Sequence, residues 1–308
     1  MELERWAEVS AAISAVAAEF GRRKRDRHST ALVVRVHTWA ALHDRPISWA
    51  CEAGNWTPHT RPAVLPDQST MSRRARRDDF EAFQRRVGER LNGKAGPGLV
   101  TVVDGKPLEL PNHSRDPDAA WGRGVSRTSL GYKLHAIFSA GNPMPDAFAV
   151  TPLDVCEKRM AARMIKRVGG GVGGGGVGGG GGYALGDAHY DASWLHDLYA
   201  YHGRRLVCPR AKPGTGLGHR YVSEHRRRAI DMLEPPAGVN AFGPGLYKLR
   251  TAVERRFSGL ACFGGGLAAL PPWVRRIWRV RAWVMAKLLI NAARIRINRR
   301  KGLTAVGA

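Results

Sequence analysis

The sequence changes its pattern at GKAGPG, residues 93–98, and this change limits the folds that the chain can adopt. Before it, charged residues separate apolar ones at steps of three and four and strand-like alternation is absent, which predicts helices. After it, apolar runs rich in β-branched residues stand between turn residues, which predicts strands. We therefore expect an all-helical region, 1–95, followed by an α/β region, 99–265.

The predicted elements of the second region follow one another in an informative order. Three strands come first, in LVTVVDGKPLEL (99–110), GYKLHAIFSAG (131–141) and DAFAVTPL (146–153). A helix starting near Asp154 follows, and then a strand in YALGD (183–187), a helix in SWLHDLYAYHG (193–203) and a strand in RRLVCPR (204–210). With a later helix, the order is β-β-β-α-β-α-β-α, which predicts a mixed sheet of the ribonuclease H-like fold.

The first region contains three predicted helices and a dense group of arginines. The helices lie in HSTALVVRVHTWAALHD (28–44), in ISWACEAGNW (47–56) and in STMSRRARRDDFEAFQRRVGERL, with Asp67, Ser69 or Thr70 as the cap of the third. The third helix suits DNA phosphates in a helix-turn-helix arrangement. Its predicted DNA-binding residues are Arg73, Arg74, Arg76 and Arg77. The alternative is a solvated helix face.

The charge of the whole chain favours a polyanionic partner. Forty-nine Lys and Arg residues against twenty-six Asp and Glu residues give a net charge of +23, which is typical of proteins that bind nucleic acid. No apolar run reaches the roughly 18 residues that a membrane span needs, so we expect no membrane segment. The basic segment 271–300 predicts an amphipathic helix that packs on the α/β region while its arginines meet DNA. The alternative is a helix on a membrane surface.

A glycine tract, 169–182, contains twelve glycines in fourteen residues. It matches the dinucleotide-binding pattern GxGxxG at Gly171, Gly173 and Gly176, but such a tract matches this pattern many times by chance. A dinucleotide loop follows a strand and opens a helix, whereas this tract follows a predicted helix and precedes a strand. We therefore expect a flexible connection between these two elements.

Three carboxylates stand where they can do chemistry. Asp104 lies inside the first predicted strand, and Asp187 ends the fourth. If these strands are neighbours, about 4.8 Å apart, both aspartates come within reach of one metal ion. Glu254 shares a predicted helix face with Tyr247 and Arg250, at positions i, i+3 and i+7. A carboxylate, a guanidinium and a phenol on one face suit a site that binds a metal and grips a phosphodiester.

The carboxylates Asp104, Asp187 and Glu254 form the predicted catalytic and metal-binding set. Carboxylates favour a hard cation, which predicts two Mg²⁺ ions, with Mn²⁺ as a substitute. Two such ions, about 3.5 to 4 Å apart, activate a water or 3′-hydroxyl and stabilise the leaving oxygen of an in-line displacement. Each carboxylate also has a structural alternative. Asp187 can cap a turn, Asp104 can start one with Gly105, and Glu254 can pair with Arg250.

From TVVDGKPL to ERRFSGL, the chain resembles the catalytic domain of prokaryotic insertion-sequence transposases of the DDE type, the cut-and-paste group with a Tyr-Arg-Glu signature. The matches are Asp104, Asp187 in GDAHYD and Glu254 in YKLRTAVE. The resemblance covers roughly 65–300 and leaves room for an insertion at about 211–245. It implies a nucleoid-associated, cytoplasmic enzyme, a homodimer on DNA, that binds terminal inverted repeats, cleaves the element ends and joins them to target DNA.

One departure from the signature keeps other functions open. The signature continues to a lysine seven residues after the glutamate, and this chain has Ala261 there. One alternative is therefore a decayed transposase or a DNA-binding regulator derived from one. A second alternative is a host nuclease of the same fold, which would cleave DNA without joining its ends.

Overall fold

The structure, a computed structural model, describes residues 1–20, 26–93, 96–111, 113–139, 141–169, 181–214, 222–235, 242–267 and 269–302, without the side chains of 252–256. In chain order its helices are α1 (Glu2–Glu19), α2 (Thr30–Leu42), α3 (Ile47–Ala50), α4 (Gln68–Arg74), α5 (Asp78–Asn92), α6 (Glu157–Gly169), α7 (Ser193–Tyr201), α8 (Glu224–Leu233), α9 (Phe242–Lys248), α10 (Thr251–Ala261) and α11 (Ile277–Arg300). Its strands are β1 (Val100–Glu109), β2 (Ala120–Arg123), β3 (Thr128–Ser139), β4 (Ala147–Pro152), β5 (Gly182–Leu185) and β6 (Arg204–Val207).

The chain divides into two units, each with its own core. The helical unit consists of Met1–Lys94, Glu109–Ala120 and Ser258–Val306. The sheet unit consists of Ala95–Leu108 and Trp121–Phe257, together with the last two residues. The N-terminal helices and α11 therefore belong to one unit, although they lie at opposite ends of the sequence.

The N-terminal helices occur where the sequence predicts them, and the third is divided. The prediction at 28–44 corresponds to α2, and the prediction at 47–56 corresponds to α3 and a short 3-10 helix. Asp67 caps α4, because its carboxylate accepts a hydrogen bond from the Thr70 backbone N–H at 2.7 Å. The single arginine-rich helix that we predicted is two helices, α4 and α5. The backbone is extended at Arg77, and acidic residues in the next turn stabilise a new helix start.

Helix α11 packs on α1, α2 and α5, whereas the sequence analysis expected it on the α/β region. Most of its residues are buried. Its first turn meets Asp116 and Asp118, whose carboxylates accept hydrogen bonds from the backbone N–H groups of Arg276 and Ile277, both at 2.9 Å. These carboxylates satisfy N–H groups that have no partner within the helix. Neither α11 nor another helix in the described ranges is long and apolar enough to cross a membrane.

The described residues of the sheet unit form a six-stranded mixed sheet. Its order is β2-β3-β1-β5-β6, and β4 also pairs with β3. β5 is parallel to both β1 and β6, whereas β3 and β4 are antiparallel. The five predicted strands correspond to β1, β3, β4, β5 and β6, with ends that differ by up to three residues. The short strand β2 was not predicted. It approaches the backbone closely at Gly122, where a Cβ would lie 2.7 Å from the Leu153 carbonyl oxygen.

Helices α6 and α7 pack on this sheet through a buried hydrophobic cluster. The cluster joins β1, β3, β5 and β6 to both helices, and its members are Val103, Ile137, Ala161, Met164, Ile165, Ala184, Tyr190, Leu195, Tyr199, Leu206 and Cys208. Because cores of this kind are close-packed, the cluster fixes the direction in which each strand and helix presents its other residues.

Two predicted connections lie partly outside the described residues. The glycine tract joins α6, which ends at Gly169, to β5, which begins at Gly182, so it connects a helix to a strand as predicted. Residues 170–180 of the tract are not described. Within the predicted insertion at 211–245 the structure describes α8, while 215–221 and 236–241 lie outside the description.

Candidate active site

Asp104 lies in β1, and Asp187 follows β5, the parallel neighbour of β1. β1 and β5 pair in the register Val100↔Tyr183, Thr101↔Ala184 and Val102↔Leu185. The two aspartates have the same offset along the chain and follow the last pair by two residues on each side. Parallel strands lie about 4.8 Å apart, so the register brings Asp104 and Asp187 to one edge of the sheet. Neighbouring strands were the condition under which the two aspartates could approach one another, and the structure meets this condition.

The carboxyl group of Asp104 is partly buried. Burial raises its pKa to about 6, and the negative charges of Asp187 and Glu157 act in the same direction. A hydrogen bond from the Gly105 backbone N–H, at 2.8 Å, and the positive charge of Arg250 oppose this rise. The pKa of Asp104 is therefore raised mainly by burial, and a carboxyl group shifted in this way is typical of functional sites.

Asp187 is held in a tight turn directly after β5. Its carboxylate accepts a hydrogen bond from the His189 backbone N–H at 2.9 Å and lies 3.2 Å from the His189 Nδ1. The preceding Gly186 packs on the buried ring of Tyr190, where a Cβ would lie 2.9 Å from a ring carbon. This close contact and the turn fix the direction of the Asp187 carboxylate.

Tyr247 and Arg250 lie late in the sequence of the sheet unit, and the fold brings them close to Asp104 and Asp187. The Tyr247 hydroxyl donates a hydrogen bond to the Gly186 carbonyl oxygen at 3.1 Å. Burial raises the pKa of Tyr247, the positive charge of Arg250 lowers it, and the negative charge of Asp187 raises it. The structure therefore gathers Asp104, Asp187, Tyr247 and Arg250 into one site.

The helix that we predicted through Tyr247, Arg250 and Glu254 is interrupted. Tyr247 lies in α9, Arg250 lies in a turn, and the backbone of Glu254 belongs to α10. The turn is closed by a hydrogen bond from the Arg250 backbone N–H to the Tyr247 carbonyl oxygen at 2.9 Å. The Glu254 side chain is among those not described, so its place in the metal set stays a prediction.

Glu157 and Lys133 are neighbours of this site that the sequence pattern did not predict. The Lys133 Nζ donates to the Glu157 Oε1 at 2.7 Å. A Cβ at Gly105 would lie 3.3 Å from the Glu157 carboxylate and 3.3 Å from the Lys133 Cδ. This pair is therefore packed against the peptide that follows Asp104. A lysine inside the apolar strand GYKLHAIF was the available signal, since a buried lysine needs a partner.

A second polar cluster lies close by, around Asp191 of the GDAHYD motif. Asp191, His196 and Cys208 are buried, and their possible metal-ligating atoms lie within 4.8 Å of one another. However, both Asp191 oxygens accept hydrogen bonds from Arg226, at 2.6 and 2.7 Å. These hydrogen bonds hold the pKa of the Asp191 carboxyl well below its usual range, although burial alone would raise it. The geometry favours a structural ion pair at this position.

The four arginines predicted to bind DNA differ in their surroundings. Arg74 is buried and donates to the His28 carbonyl oxygen at 2.6 Å and to the Thr30 hydroxyl at 3.0 Å. Arg77 donates to the carboxylates of Asp26 and Asp79. Arg73 and Arg76 are exposed, and the Arg76 guanidinium lies 4.8 Å from the Trp278 ring centre. Contact with DNA stays a prediction for all four, and the helical unit itself uses Arg74 and Arg77.

The region that contains Asp104, Asp187, Tyr247 and Arg250 matches a known protein family. A sequence profile described as the transposase DDE domain matches residues 95–266, which is more than half of the chain. No curated protein matches the chain. Among solved structures, a cryo-EM structure of the piggyBac transposase synaptic complex with hairpin DNA is 10% identical, with a TM-score of 0.46. That match covers 100% of this chain and 77% of the other. By the profile match, this chain belongs to the transposase DDE domain family.

Proposed function

We propose that this chain is a DNA transposase that binds the terminal inverted repeats of its element, cleaves the element ends and joins the 3′-hydroxyl ends to target DNA. The observation that carries the proposal is the meeting of Asp104 and Asp187 at one edge of the sheet, with Tyr247 and Arg250 beside them. Membership of the transposase DDE domain family makes nucleic acid the substrate class.

The strand order supports a ribonuclease H-like fold for the sheet unit. The order β4-β3-β1-β5-β6, with β3 and β4 antiparallel and β1, β5 and β6 parallel, fits the predicted succession of elements. In this arrangement Asp187 follows the carboxyl end of β5, and Asp104, inside β1, lies two residues beyond the last pair that β1 forms with β5. Open α/β sheets place ligands at this edge.

The residues at the site fit a hard divalent cation. Asp104 and Asp187 offer oxygen ligands, and Asp104 is a carboxyl group whose pKa burial raises to about 6. A cation bound between the two carboxylates would relieve their mutual repulsion. Asp104, Asp187 and, by the family signature, Glu254 would hold two Mg²⁺ ions, with Mn²⁺ as a substitute. When bound, such ions activate the attacking oxygen and stabilise the leaving oxygen of a phosphodiester.

Tyr247 and Arg250 position the DNA. The Tyr247 hydroxyl is tied to the Gly186 carbonyl oxygen, so the ring stands next to Asp187 with little freedom. Arg250 brings a positive charge to the two carboxylates, and a guanidinium there can bind a phosphate through two parallel hydrogen bonds. Arg250 would therefore hold the scissile phosphate, and the Tyr247 ring would form the surface against which this phosphate lies.

The helical unit contributes sequence-independent contacts in this proposal. Arg73 and Arg76 are exposed on α4 and in the turn that follows it, so their guanidinium groups can reach phosphates. Cutting two ends in one reaction calls for two catalytic centres, so we expect a homodimer on DNA. Ala261, in place of the signature lysine, makes a DNA-binding regulator without cleavage the second candidate.

The test is metal-dependent cleavage and end joining on DNA that carries the sequences flanking the gene. Asp187→Asn and Glu254→Gln are expected to reduce both reactions by about a thousandfold or more, because removing one catalytic group typically has this effect. Asp154→Asn is the matched control, since Asp154 is an exposed carboxylate of the same unit, and it should keep full activity. Mn²⁺ affinity, measured by calorimetry, should fall in Asp187→Asn and not in the control.

Three other outcomes would contradict the proposal in different ways. Undiminished cleavage in Asp187→Asn would refute the active site. Cleavage without joining would indicate a nuclease. DNA binding by a folded wild-type protein without any cleavage, in Mg²⁺ or Mn²⁺, would indicate the regulator.

A further inference from the structure

One face of α6 presents an uncompensated row of positive charge. Its four exposed members are Arg159, Arg163, Lys166 and Arg167. At 100° per residue they lie within roughly a quarter of the helix circumference. After Glu157 at its start, α6 contains no acidic residue. Within the described part of the chain, none of the four pairs with a carboxylate. We call these four residues the basic face of α6.

The opposite face of α6 fixes the direction of the basic face. Ala161, Met164 and Ile165 are at most 1% exposed and belong to the cluster that packs on the sheet. The helix therefore cannot rotate to pair its arginines with groups of the protein. These charges therefore face solvent or a bound ligand.

Basic residues elsewhere in the same unit behave differently. Arg226, on α8, forms two hydrogen bonds with the buried carboxylate of Asp191. Arg228 pairs with Glu224 within α8. Lys158, which flanks the basic face, donates to the Asp191 carbonyl oxygen at 3.3 Å. None of the four residues of the basic face has a carboxylate partner among the described residues, and Arg163 donates only to the Met160 Sδ, at 3.8 Å.

Helix α6, which carries the basic face, begins beside the candidate active site. Glu157, the first residue of α6, has its carboxylate packed against the peptide between Asp104 and Gly105. From Arg159 to Arg167 the helix rises by about 12 Å, at about 1.5 Å per residue. Phosphates of one DNA strand follow one another at about 3.4 Å along the duplex axis, so this length spans roughly three of them.

We propose that the basic face of α6 binds the phosphate backbone of double-stranded DNA next to the catalytic centre. The inference rests on the proposed function, in which DNA is the substrate, and it names the surface that holds a duplex on this side of Asp104. The contacts are to phosphate, so they position the duplex without reading its sequence. The Arg and Lys side chains bring the charge, and release of counterions from the DNA drives the binding.

The test is the salt dependence of binding to a fluorescein-labelled DNA duplex of random sequence, followed by anisotropy over a series of KCl concentrations. Arg163→Gln/Arg167→Gln should lower the slope of log K against log salt by about 2, because each lost phosphate contact removes about 0.9. Binding at physiological salt should weaken at least about tenfold. Arg163→Lys/Arg167→Lys should restore most of the slope, since a point charge suffices for a phosphate contact.

Arg227→Gln/Arg228→Gln is the matched control. It removes the same charge from exposed positions of another helix in the same unit, and it should leave the slope unchanged. An equal loss of slope in this control would overturn the inference, because the effect would then come from total charge. An unchanged slope in Arg163→Gln/Arg167→Gln would also overturn it. So would a loss of binding to phosphatidylserine vesicles without any change in DNA binding.

Failure of this inference and failure of the proposed function give different results. Asp187→Asn should keep the full salt slope while losing cleavage. Arg163→Gln/Arg167→Gln should keep metal-dependent cleavage at low salt, where binding is restored by concentration, and lose it as salt rises. An unchanged slope with intact cleavage rejects only the basic face. If the slope falls in Arg163→Gln/Arg167→Gln but no form of the protein cleaves DNA, only the transposase reaction is rejected.

Discussion

The segment around α4 and the basic face of α6 look alike in the sequence, yet they use their positive charges differently. Around α4, the Arg74 guanidinium is buried against the start of α2, and Arg77 holds the carboxylates of Asp26 and Asp79. On α6, Arg163 and its neighbours are exposed and have no acidic partner among the described residues. Arg74 and Arg77 of the first segment stabilise the helical unit, whereas the arginines of the basic face are available to a ligand.

Helix α11 behaves like the segment around α4. Arg296 and Arg300 both pair with the Glu8 carboxylate of α1, and Arg294 donates to the Gly259 carbonyl oxygen at 2.9 Å. A chain with a net charge of +23 is expected to bind a polyanion. The pairing shows that local arginine density does not by itself locate the binding surface. The charges that remain after pairing within the protein are the informative ones.

Arg74→Ala should have the largest effect on stability. It leaves Asp26 and Asp79 with less compensation and removes donors from the His28 carbonyl and the Thr30 hydroxyl. Breaking such a buried network lowers the free energy of unfolding by about 3 to 5 kcal/mol. Urea unfolding measures it. Arg73→Ala, one residue away and exposed, is the control and should change stability by less than about 0.5 kcal/mol. Equal effects of the two variants would remove the contrast with α6.

Arg226→Gln tests, in the sheet unit, the same contrast between paired arginines and exposed arginines. Arg226 is 15% exposed and its partner Asp191 only 2%, so the variant leaves a buried carboxylate without its two strongest donors. We expect a loss of roughly 3 kcal/mol, at the lower end of the range for buried pairs because the guanidinium keeps some solvent. Thermal and urea unfolding would measure the loss. A variant as stable as the wild type would mean that burial and pairing do not separate the two classes of arginine.

Lowering the pH tests whether the folded protein tolerates a buried positive charge that has no partner. Burial lowers the pKa of His37, on α2, from 6.5 to about 4, so the folded protein resists a positive charge that it cannot pair. The unfolded chain takes up this proton at higher pH, so stability should fall as the pH drops from 6.5 to 4. The loss is at most about 3 kcal/mol. His37→Leu should flatten this part of the profile, apart from the contribution of His135, whose pKa is also lowered to about 4. An unchanged profile in His37→Leu would show that the pKa of His37 is the same in the folded and the unfolded protein.

Much of the fold could be predicted because long segments with periodic apolar residues indicate their own secondary structure. The five strands, α2 and the pairing of the strands that carry Asp104 and Asp187 follow from apolar patterning and from the order of elements. The partners of α11 could not be predicted, since its contacts with α1, α2 and α5 join residues far apart in sequence. The strand β2 was missed because four residues, AWGR, give too short a pattern.

The candidate site was predictable in its acidic residues and less so in their neighbours. Asp104 and Asp187 could be placed because each sits in or directly after a strand. The break between α9 and α10 could not be predicted, since YKLRTAVE has helical spacing throughout and only the turn at Arg250 interrupts it. Glu157 was not identified from the sequence as part of the site. Its place beside Gly105 depends on how α6 packs on the sheet.

The smallest expected effect on stability is that of the basic face itself. Arg159, Arg163, Lys166 and Arg167 are exposed, so Gln in place of any one of them should change the free energy of unfolding by less than about 0.5 kcal/mol. Removing repulsion between neighbours four residues apart can even stabilise the helix slightly. Thermal unfolding of Arg163→Gln/Arg167→Gln in DNA-free buffer measures this. A large destabilisation would mean that these arginines serve the fold, as Arg74 does. Unchanged stability together with a reduced salt slope for DNA would establish the two uses of arginine as separate, because the charge would then matter only when DNA is present.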